Sequence, residues 1–356
     1  MLCDRIKQFT ETLNGNTAAL ITNQANRFYL TGFMSDAGAL LVLRNCAYLL
    51  VDFRYFEKAR KTVTNCSVLQ CGRLYDDVKK LLEEHGIKKL LLEADDITVQ
   101  NFKFISGMLG NINVSDDDAV CRTLKEMRAV KDANELDCIK KAQKLTDETF
   151  KYILPRISAG LTEKEIMLDM EFFIRARGSE GVSFDFIVVS GKNSSLPHGV
   201  PTDKKIEKGD FVTMDFGAVV NGYHSDMTRT VAVGNVSDEQ LNVYNTVLKA
   251  QEAAILKIKS GMICSDIDKI ARDIINTAGY GGCFGHSLGH GVGVEIHEQP
   301  VLSPSCDKPL TAGNVVTVEP GIYIENKFGV RIEDMVCVTD DGCENLTHSP
   351  KNLIII

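Results

Sequence analysis

The chain repeats its own pattern in its C-terminal two-thirds. Two stretches 101 residues apart share the same order of apolar residues and glycines, at Ile157, Gly160, Ile166 and Gly178 and again at Ile258, Gly261, Ile267 and Gly279. Each stretch predicts the end of one helix, a glycine stop, and a second helix with its own glycine stop. Such self-similarity is the signature of a duplicated unit, and it restricts the possible folds more than any single motif does.

Each copy continues into a predicted β-hairpin with an acidic residue on each arm. The segment "GDFVTMD" (209–215) matches "GNVVTVE" (313–319), and the match places Asp215 on Glu319. In both copies a turn follows, and then a second carboxylate, Asp226 or Glu333, and another strand. We therefore expect two pseudo-symmetric helix–helix–hairpin halves that bring four carboxylates to one shared surface.

The first 120 residues have a different pattern. Apolar runs such as "GALLVL" and "KKLLLE" predict strands, while "YDDVKKLLEEHG" and "TVQNFKFISGMLG" predict helices that end at Gly86 and Gly110. This alternation is typical of a small α/β domain. The acidic run "NVSDDDAV" (113–120) predicts the boundary, so we expect one domain at 1–120 and a second at 121–356.

Composition argues against several classes of protein. A net charge of −8 disfavours nucleic-acid binding, which needs a basic face. No stretch reaches the ~18 apolar residues of a membrane span, and the N-terminal "MLCDRIKQFTETLNGN" lacks the apolar core of a signal peptide. The 11 cysteines are scattered without a CxxC pair, as in proteins of a reducing compartment. We expect a cytoplasmic protein with neither a nucleic-acid nor a membrane partner.

One histidine and four acids in apolar, strand-like segments predict a metal site at Asp215, Asp226, His290, Glu319 and Glu333. Carboxylates are almost never fully buried unless they are paired or bind a metal. A single aspartate at a strand end is more often a turn residue. Glu319 is not, because the Pro-Gly that follows it already makes the turn. The glycine-rich segment "GHSLGHGVGVEIHE" (285–298) indicates backbone packed closely around His290.

The chemistry of this ligand set indicates the kind of metal. Four carboxylates and one imidazole suit Mn²⁺, Co²⁺ or Fe²⁺ at least as well as Zn²⁺. Two such ions about 3.5–4 Å apart can activate water and polarise a carbonyl between them. Calcium storage is the alternative for an acid-rich site, but calcium sites rarely contain histidine and no EF-hand loop is present. The set therefore predicts two divalent ions and metal-assisted hydrolysis.

The other candidate nucleophiles and ligands have simpler interpretations. His85, His224 and His348 lie outside the glycine-rich segments and are interpreted as structural or surface histidines. Cys283 and Cys306 are interpreted as small packed side chains rather than as nucleophiles. Neither a serine elbow nor a phosphate-binding loop is present.

These motifs resemble the pita-bread metallopeptidases, the family of methionine aminopeptidases, Xaa-Pro aminopeptidases and Xaa-Pro dipeptidases. The resemblance covers 121–356, and "YLTGF" (29–33) with "VDFRY" (51–55) resembles the creatinase-like domain of the proline-specific branch. "GVRIEDMV" (329–336) also favours that branch, and creatinase itself lacks the metal ligands. The resemblance implies an α+β fold, in which a pita-bread catalytic domain follows a creatinase-like α/β domain.

The resemblance also implies roles for the metal ligands. Asp215 would bind one metal, His290 and Glu319 would bind the other, and Asp226 and Glu333 would bridge the two. In the family mechanism, water activated at the metals attacks the scissile carbonyl and Glu319 handles the proton.

Five further residues match positions around the substrate. His198 in "LPHG" and His297 in "IHE" match histidines that contact the substrate and the tetrahedral intermediate, and His297 would stabilise the oxyanion together with the metals. His286, Tyr323 and Arg331 match supporting positions of the substrate pocket.

Three functions are compatible with the sequence. We rank an Xaa-Pro aminopeptidase first, acting on small peptides with proline at the second position. An Xaa-Pro dipeptidase (prolidase) is the alternative, and a pita-bread module that binds peptides or proteins without chemistry is the alternative from another class. The resemblance suggests a homodimer in which the N-terminal domain of one subunit lies near the site of the other.

Overall fold

The computed structural model of the protein describes residues 2–356, and it describes side chains from Arg5 onward. The chain forms two compact units, the first ending at Arg128 and the second spanning Ala129–Ile356. The domain limit at residue 120 stays a prediction. Among the helices of residues 2–356, none combines the length and the hydropathy that a membrane span requires.

Six strands form the sheet of the first unit: β1 (Thr17–Ile21), β2 (Ala39–Val42), β3 (Ala47–Val51), β4 (Ser67–Gln70), β5 (Lys89–Leu92) and β6 (Asn113–Ser115). Their order is β4-β3-β2-β1-β5-β6. Pairings of β2 with β1 and β3 are antiparallel, and the remaining three are parallel. The apolar runs predicted as strands all lie in this sheet. β6 was not predicted and begins inside the acidic run.

Six helices accompany this sheet: α1 (Leu2–Thr10), α2 (Gln24–Thr31), α3 (Phe53–Thr62), α4 (Leu74–Glu84), α5 (Val99–Leu109) and α6 (Ala119–Ala129). The predicted glycine stops are present, because Gly86 follows α4 with φ of 65° and Gly110 caps α5 with φ of 54°. Left-handed backbone of this kind favours glycine, which has no Cβ to clash. Leucines of the strands and of α4 and α5 pack into one core.

The second unit contains four long helices: α7 (Ala133–Ile153), α8 (Glu163–Ala176), α9 (Asp238–Ile255) and α10 (Cys264–Ile275). They form two consecutive pairs, as the duplication predicts. Thr162 and Ser237 begin α8 and α9 with complete capping boxes. The four matched glycines, Gly160, Gly178, Gly261 and Gly279, all have φ between 83° and 101°. The repeated glycines therefore mark backbone turns that other residues adopt only with strain.

Twelve strands complete the described part of this unit: β7 (Ile187–Ser190), β8 (Phe211–Phe216), β9 (Val219–Val220), β10 (Tyr223–His224), β11 (Met227–Ala232), β12 (Gly289–Gly291), β13 (Glu298–Leu302), β14 (Val315–Val318), β15 (Gly321–Ile324), β16 (Phe328–Arg331), β17 (Asp334–Val338) and β18 (Cys343–Asn345). The larger sheets have the orders β11-β8-β7 and β13-β12-β14-β17-β18. The two predicted hairpins are the antiparallel pairs β8–β11 and β14–β17.

Each half of the duplication has its own hydrophobic core. In the first half Phe150, Ile166 and Met214 belong to one buried cluster, and in the second half Val247, Ile267 and Val336 belong to another. β8 and β14 are buried along almost their whole length, as expected for strands covered on both faces. The ends of these buried strands fix the positions of the acidic residues.

Candidate metal centre

The two hairpins place the four acids at equivalent positions. Asp215 lies near the end of β8 and Glu319 directly follows β14, while Asp226 and Glu333 directly precede β11 and β17. His290, the one candidate ligand outside the duplication, is the middle residue of β12. Because β12 pairs with β14, this histidine comes next to the second hairpin.

Distances show that the predicted ligands form one cluster. Single ligand atoms of Asp226, His290 and Glu333 all lie within 4.8 Å of one another. His290 Nε2 is 3.5 Å from Asp226 Oδ2 and also 3.5 Å from Glu319 Oε1. Asp215 borders the same group, because it lies opposite Thr228 in the β8–β11 pair and the Thr228 hydroxyl donates to Glu333 at 2.8 Å. The structure thus brings all five predicted ligands together.

His290 is held in the form that binds metals. Its Nδ1 lies 3.1 Å from the carbonyl oxygen of Gly291, to which a neutral ring donates its single N–H. Nε2 is then left with a lone pair that faces the carboxylates. Burial, and after it the neighbouring His297, lowers the pKa of His290 to about 4. The ring is therefore neutral near pH 7 and available as a ligand.

The acids are close enough to repel one another. Burial first, and then Glu333 and Asp215, raises the pKa of Asp226 well above its ordinary value. Burial likewise raises the pKa of Glu319 to about 8, and burial with Glu319 raises that of Glu333. Two carboxylate oxygens, Oδ1 of Asp215 and Oδ1 of Asp226, are buried without a hydrogen-bond partner. Buried carboxyl oxygens of this kind fit divalent cations, which bind them in the ionised form.

Two threonines that the sequence analysis missed orient the ligands. Thr228 Oγ1 donates to Glu333 Oε2 at 2.8 Å. Thr317 Oγ1 donates to Glu319 Oε1 at 3.3 Å and accepts from the backbone N–H of His290 at 3.0 Å. Such supporting contacts fix the direction of ligand lone pairs. The duplication offered a signal for Thr317, since Thr213 is its match in the first copy.

Arg331, Tyr323 and His286 form a directed chain of hydrogen bonds. Arg331 donates to Asp215 Oδ2 at 2.7 Å and to the Tyr323 hydroxyl at 2.9 Å. Burial and then Arg331 lower the pKa of His286 to about 4, so its ring is neutral and its Nδ1 donates to the Ser287 carbonyl. His286 Nε2 must then accept from the Tyr323 hydroxyl at 2.9 Å. The three predicted pocket residues are therefore linked to a predicted metal ligand.

The two remaining predicted site residues are exposed. His297 lies against His290, with ring centroids 4.4 Å apart. His198 is connected through its neighbour Pro197, whose carbonyl accepts from Arg331 at 3.2 Å. The histidines interpreted as structural or surface residues have partners away from the cluster: the backbone N–H of His348 donates to Asp147, His85 contacts the Tyr48 hydroxyl, and the backbone N–H of His224 donates to the Gly293 carbonyl.

Close packing explains the glycines around His290. A Cβ at Gly289 would lie 1.9 Å from the carbonyl oxygen of Thr317, and one at Gly291 would lie 2.4 Å from that of Gln299. Any side chain at either position would force β12 away from its neighbours. The glycines are therefore required for His290 to reach the carboxylates.

Two family models match the chain. Residues 137–340 match metallopeptidase family M24, and residues 5–130 match the creatinase/prolidase N-terminal domain. The second unit is thus the pita-bread catalytic domain, and the first is the creatinase-like domain. The α+β fold expected from the resemblance is confirmed.

Relatives match over almost the whole chain. An Xaa-Pro dipeptidase of Pyrococcus horikoshii is 37% identical over 354 residues, which cover 99% of both chains. The solved structure of an Xaa-Pro dipeptidase from Bacillus anthracis has a TM-score of 0.94 at 41% identity, covering 100% of this chain and 99% of the other. That of an X-Pro aminopeptidase from Thermotoga maritima has a TM-score of 0.91 at 40% identity, covering 98% and 100%. The protein is a metallopeptidase of family M24, with a cluster suited to divalent metal ions.

Proposed function

We propose that the protein is an Xaa-Pro dipeptidase, which hydrolyses the bond before proline in dipeptides. The observation that carries the proposal is the cluster of four carboxylates around a neutral His290 in a metallopeptidase of family M24. Relatives at 37% and 41% identity carry the name Xaa-Pro dipeptidase. The bond before proline is a tertiary amide without N–H, so its cleavage calls for a dedicated site.

An Xaa-Pro aminopeptidase, which the sequence ranked first, is the second candidate. The Thermotoga maritima structure supports it at 40% identity. The two activities differ in the group attached after proline, because a dipeptide has a free carboxylate there and a longer peptide has more chain. The relatives favour the dipeptidase. A binding module without chemistry is disfavoured, because the chain has retained all five candidate ligands.

In the proposed site, Asp215, Asp226, His290, Glu319 and Glu333 hold two divalent ions, for which we propose Mn²⁺ ahead of Co²⁺, Fe²⁺ or Zn²⁺. Such ions, when bound, polarise a carbonyl and lower the pKa of water. The carboxylates would hold the ions at the end of two hairpins whose strands β8 and β14 are buried.

The surrounding residues act on the substrate. We assign His297 to the developing oxyanion, because its exposed ring lies beside His290. Glu319 accepts the proton of the attacking water, and His198 contacts the substrate. His286, Tyr323 and Arg331 complete the pocket, with Arg331 mainly engaged by Asp215 and Tyr323.

Two further properties belong to the proposal. A cytoplasmic location is supported by the scattered cysteines of the sequence. A homodimer is supported by the family resemblance.

The test compares hydrolysis of Ala-Pro and Ala-Pro-Ala by dialysed protein with and without added Mn²⁺, together with metal analysis. We expect metal-dependent cleavage of Ala-Pro. Cleavage of the tripeptide as well would favour the aminopeptidase, and cleavage of neither would refute both. Glu333→Ala should abolish activity and lower the bound metal, while Glu325→Ala, in the exposed turn between β15 and β16, should change neither. Normal activity of Glu333→Ala would refute the two-metal assignment.

A further inference from the structure

A fully buried carboxylate lies apart from the metal cluster. Glu163, the first residue of α8, is 0% exposed. A carboxylate is almost never buried to this extent without bonds that replace its water. The family assignment gives Glu163 no role, so its partners indicate what the buried charge does.

Both carboxylate oxygens of Glu163 accept hydrogen bonds, and the donors lie in two different parts of the chain. Oε1 accepts from the backbone N–H and the hydroxyl of Ser190, at 2.6 and 2.9 Å. Oε2 accepts from the backbone N–H and the hydroxyl of Thr202, at 3.0 and 2.7 Å. The amide of Asn193 lies 3.2 Å from each oxygen. Hydrogen bonds to an ionised acceptor are about twice as strong as neutral ones, and here five donors converge on one carboxylate.

These two places are the ends of the segment 191–201, here called the His198 loop. Ser190 ends β7 and immediately precedes the loop, while Thr202 immediately follows it. Glu163 therefore closes the loop at its base. Lys204 also stabilises the base of the loop, because its Nζ donates to the Ser190 hydroxyl at 3.0 Å and pairs with Asp210 at 2.6 Å.

The far side of the loop faces the candidate active site. Ser194 Oγ accepts from the backbone N–H of Gly329 at 2.9 Å, and the Pro197 carbonyl accepts from Arg331 at 3.2 Å. A Cβ at Gly329 would lie 2.2 Å from the Ser194 carbonyl oxygen, so the loop packs tightly on β16. The loop is thus placed directly beside Arg331 and the chain that leads to Asp215.

The rest of the loop is exposed to solvent. His198 is exposed, and the apolar side chains on either side of it, Leu196 and Val200, are 57% and 75% exposed. Packing around the imidazole is therefore sparse, and its position depends on how the loop is held, both at β16 and at its base. A loop that samples other conformations lowers the apparent affinity for substrate in proportion to the competent fraction.

We propose that Glu163 is a positioning residue that holds the His198 loop closed at its base and so keeps His198 at the substrate. The inference rests on the proposed function, in which His198 contacts the substrate. Glutamine at this position has the same shape but replaces one acceptor oxygen with an NH₂ donor. That donor would face the donors of either Ser190 or Thr202, and one end of the loop would be released.

The test compares Glu163→Gln with a matched control, Glu165→Gln. Both acids lie in the first turn of α8, but Glu165 is exposed, and among the described residues its hydrogen bonds outside the helix backbone are those with Thr162 of its own capping box. We expect Glu163→Gln to raise KM for Ala-Pro about 10-fold, with a much smaller effect on kcat, because the competent loop population falls. Bound metal should be unchanged, and amide hydrogen exchange of residues 190–202 should become faster. Glu165→Gln should leave KM, metal content and exchange of the loop as in the wild type.

A second variant guards against failure of Glu163→Gln to fold. Thr202→Val removes one hydroxyl donor at an exposed position, and we expect a smaller rise in KM and faster exchange of the same peptide. The inference is overturned if exchange and KM stay at wild-type values in both variants, or if Glu165→Gln gives the same changes.

His198→Ala separates the two proposals. If it raises KM and Glu163→Gln does not, only the inference fails. If the wild type cleaves neither peptide, the proposed function fails, and the exchange of residues 190–202 still decides whether Glu163 holds the loop.

Discussion

Arg331 donates to one carboxylate oxygen of Asp215 at 2.7 Å and leaves the other, Oδ1, buried and without a hydrogen-bond partner. The two side chains are only 4% and 13% exposed, so the pair has little contact with water. This one-sided contact leaves the second oxygen of Asp215 as a buried acceptor that a cation could bind. The same guanidinium binds Thr228, Tyr323 and the Pro197 carbonyl, so a single cation orders both a ligand and its surroundings.

Because of this contact, we expect Arg331 to contribute most to the free energy of unfolding when the metal is absent. Arg331→Met should lower the free energy of unfolding of metal-free protein by about 3–5 kcal/mol, the usual cost of removing one partner of a buried ion pair. The loss should be smaller at saturating Mn²⁺, since Asp215 then has a cation. Urea unfolding with and without metal measures both values. Lys327→Met, which breaks an exposed pair with Glu239, is the control, and an equal loss in both metal states would contradict the prediction.

Thr317 should affect metal affinity through two ligands at once. Thr317→Val removes the hydroxyl that donates to Glu319 and accepts from the His290 backbone, so we expect affinity for Mn²⁺ to fall about 10–100-fold. Its match in the duplication supplies the control. Thr213 is similarly buried, but its hydroxyl contacts the Thr230 hydroxyl rather than a candidate ligand, so Thr213→Val should reduce stability and leave affinity unchanged. Titration calorimetry of the two variants gives the comparison, and equal affinities would exclude the role assigned to Thr317.

Metal binding should release protons. In the metal-free protein burial raises the pKa of Glu319 to about 8, and raises those of Asp226 and Glu333, so the cluster holds protons near neutral pH. Metals bind the ionised carboxylates, and protons must leave first. Affinity should therefore rise as the pH rises towards 8. Calorimetry at pH 7 in two buffers of different ionisation enthalpy measures the proton number, and a value of zero would contradict the expected protonation.

The raised pKa values of these carboxyls also make the stability of the folded protein depend on pH. A carboxyl with a raised folded-state pKa stabilises the protein fully below its ordinary pKa of 4.5 and loses that contribution as the pH rises through about 8. Metal-free protein should thus become less stable between these values, and metal should offset the loss. Thermal unfolding across this range, with chelator or with Mn²⁺, provides the check.

The duplication made most of the catalytic fold predictable. The conformation of each repeated glycine is a local property of the backbone and can be predicted from the neighbouring residues. The matched acids lie on equivalent hairpins, so Asp215 and Glu319 could be paired from the amino-acid pattern alone. Arg331 and Thr228 were different, since their partners lie more than a hundred residues away and no local pattern records such a contact. Glu163 had no local signal either, because the residues that it bonds, Ser190 and Thr202, lie well along the chain from it. β6 was missed because its acidic flank resembles a linker, and its strand depends on pairing with β5.

A second buried ion pair fixes the backbone of Glu333, and it gives the last prediction. Arg229, 1% exposed, donates to Asp334 Oδ1 at 2.7 Å and to the Glu333 carbonyl at 2.5 Å. Lys351 approaches the other oxygen of Asp334 at 3.0 Å but is 21% exposed. Arg229→Met should therefore lower the free energy of unfolding by about 3–5 kcal/mol, because it leaves the buried Asp334 carboxylate without its main partner. Lys351→Met should lower it clearly less.

The pH dependence distinguishes this pair from simple packing. Burial alone would raise the pKa of Asp334, but Arg229 and then Lys351 outweigh it and lower the pKa below the ordinary 3.8. A depressed pKa adds stability that is present above the ordinary value and is lost as the pH falls through the folded-state value. The stability difference between the wild type and Arg229→Met should accordingly shrink in acid. Urea unfolding at pH 7 and below pH 4 tests this, and a difference that stays constant would mean that Arg229 stabilises the strand through its carbonyl contacts rather than through its charge.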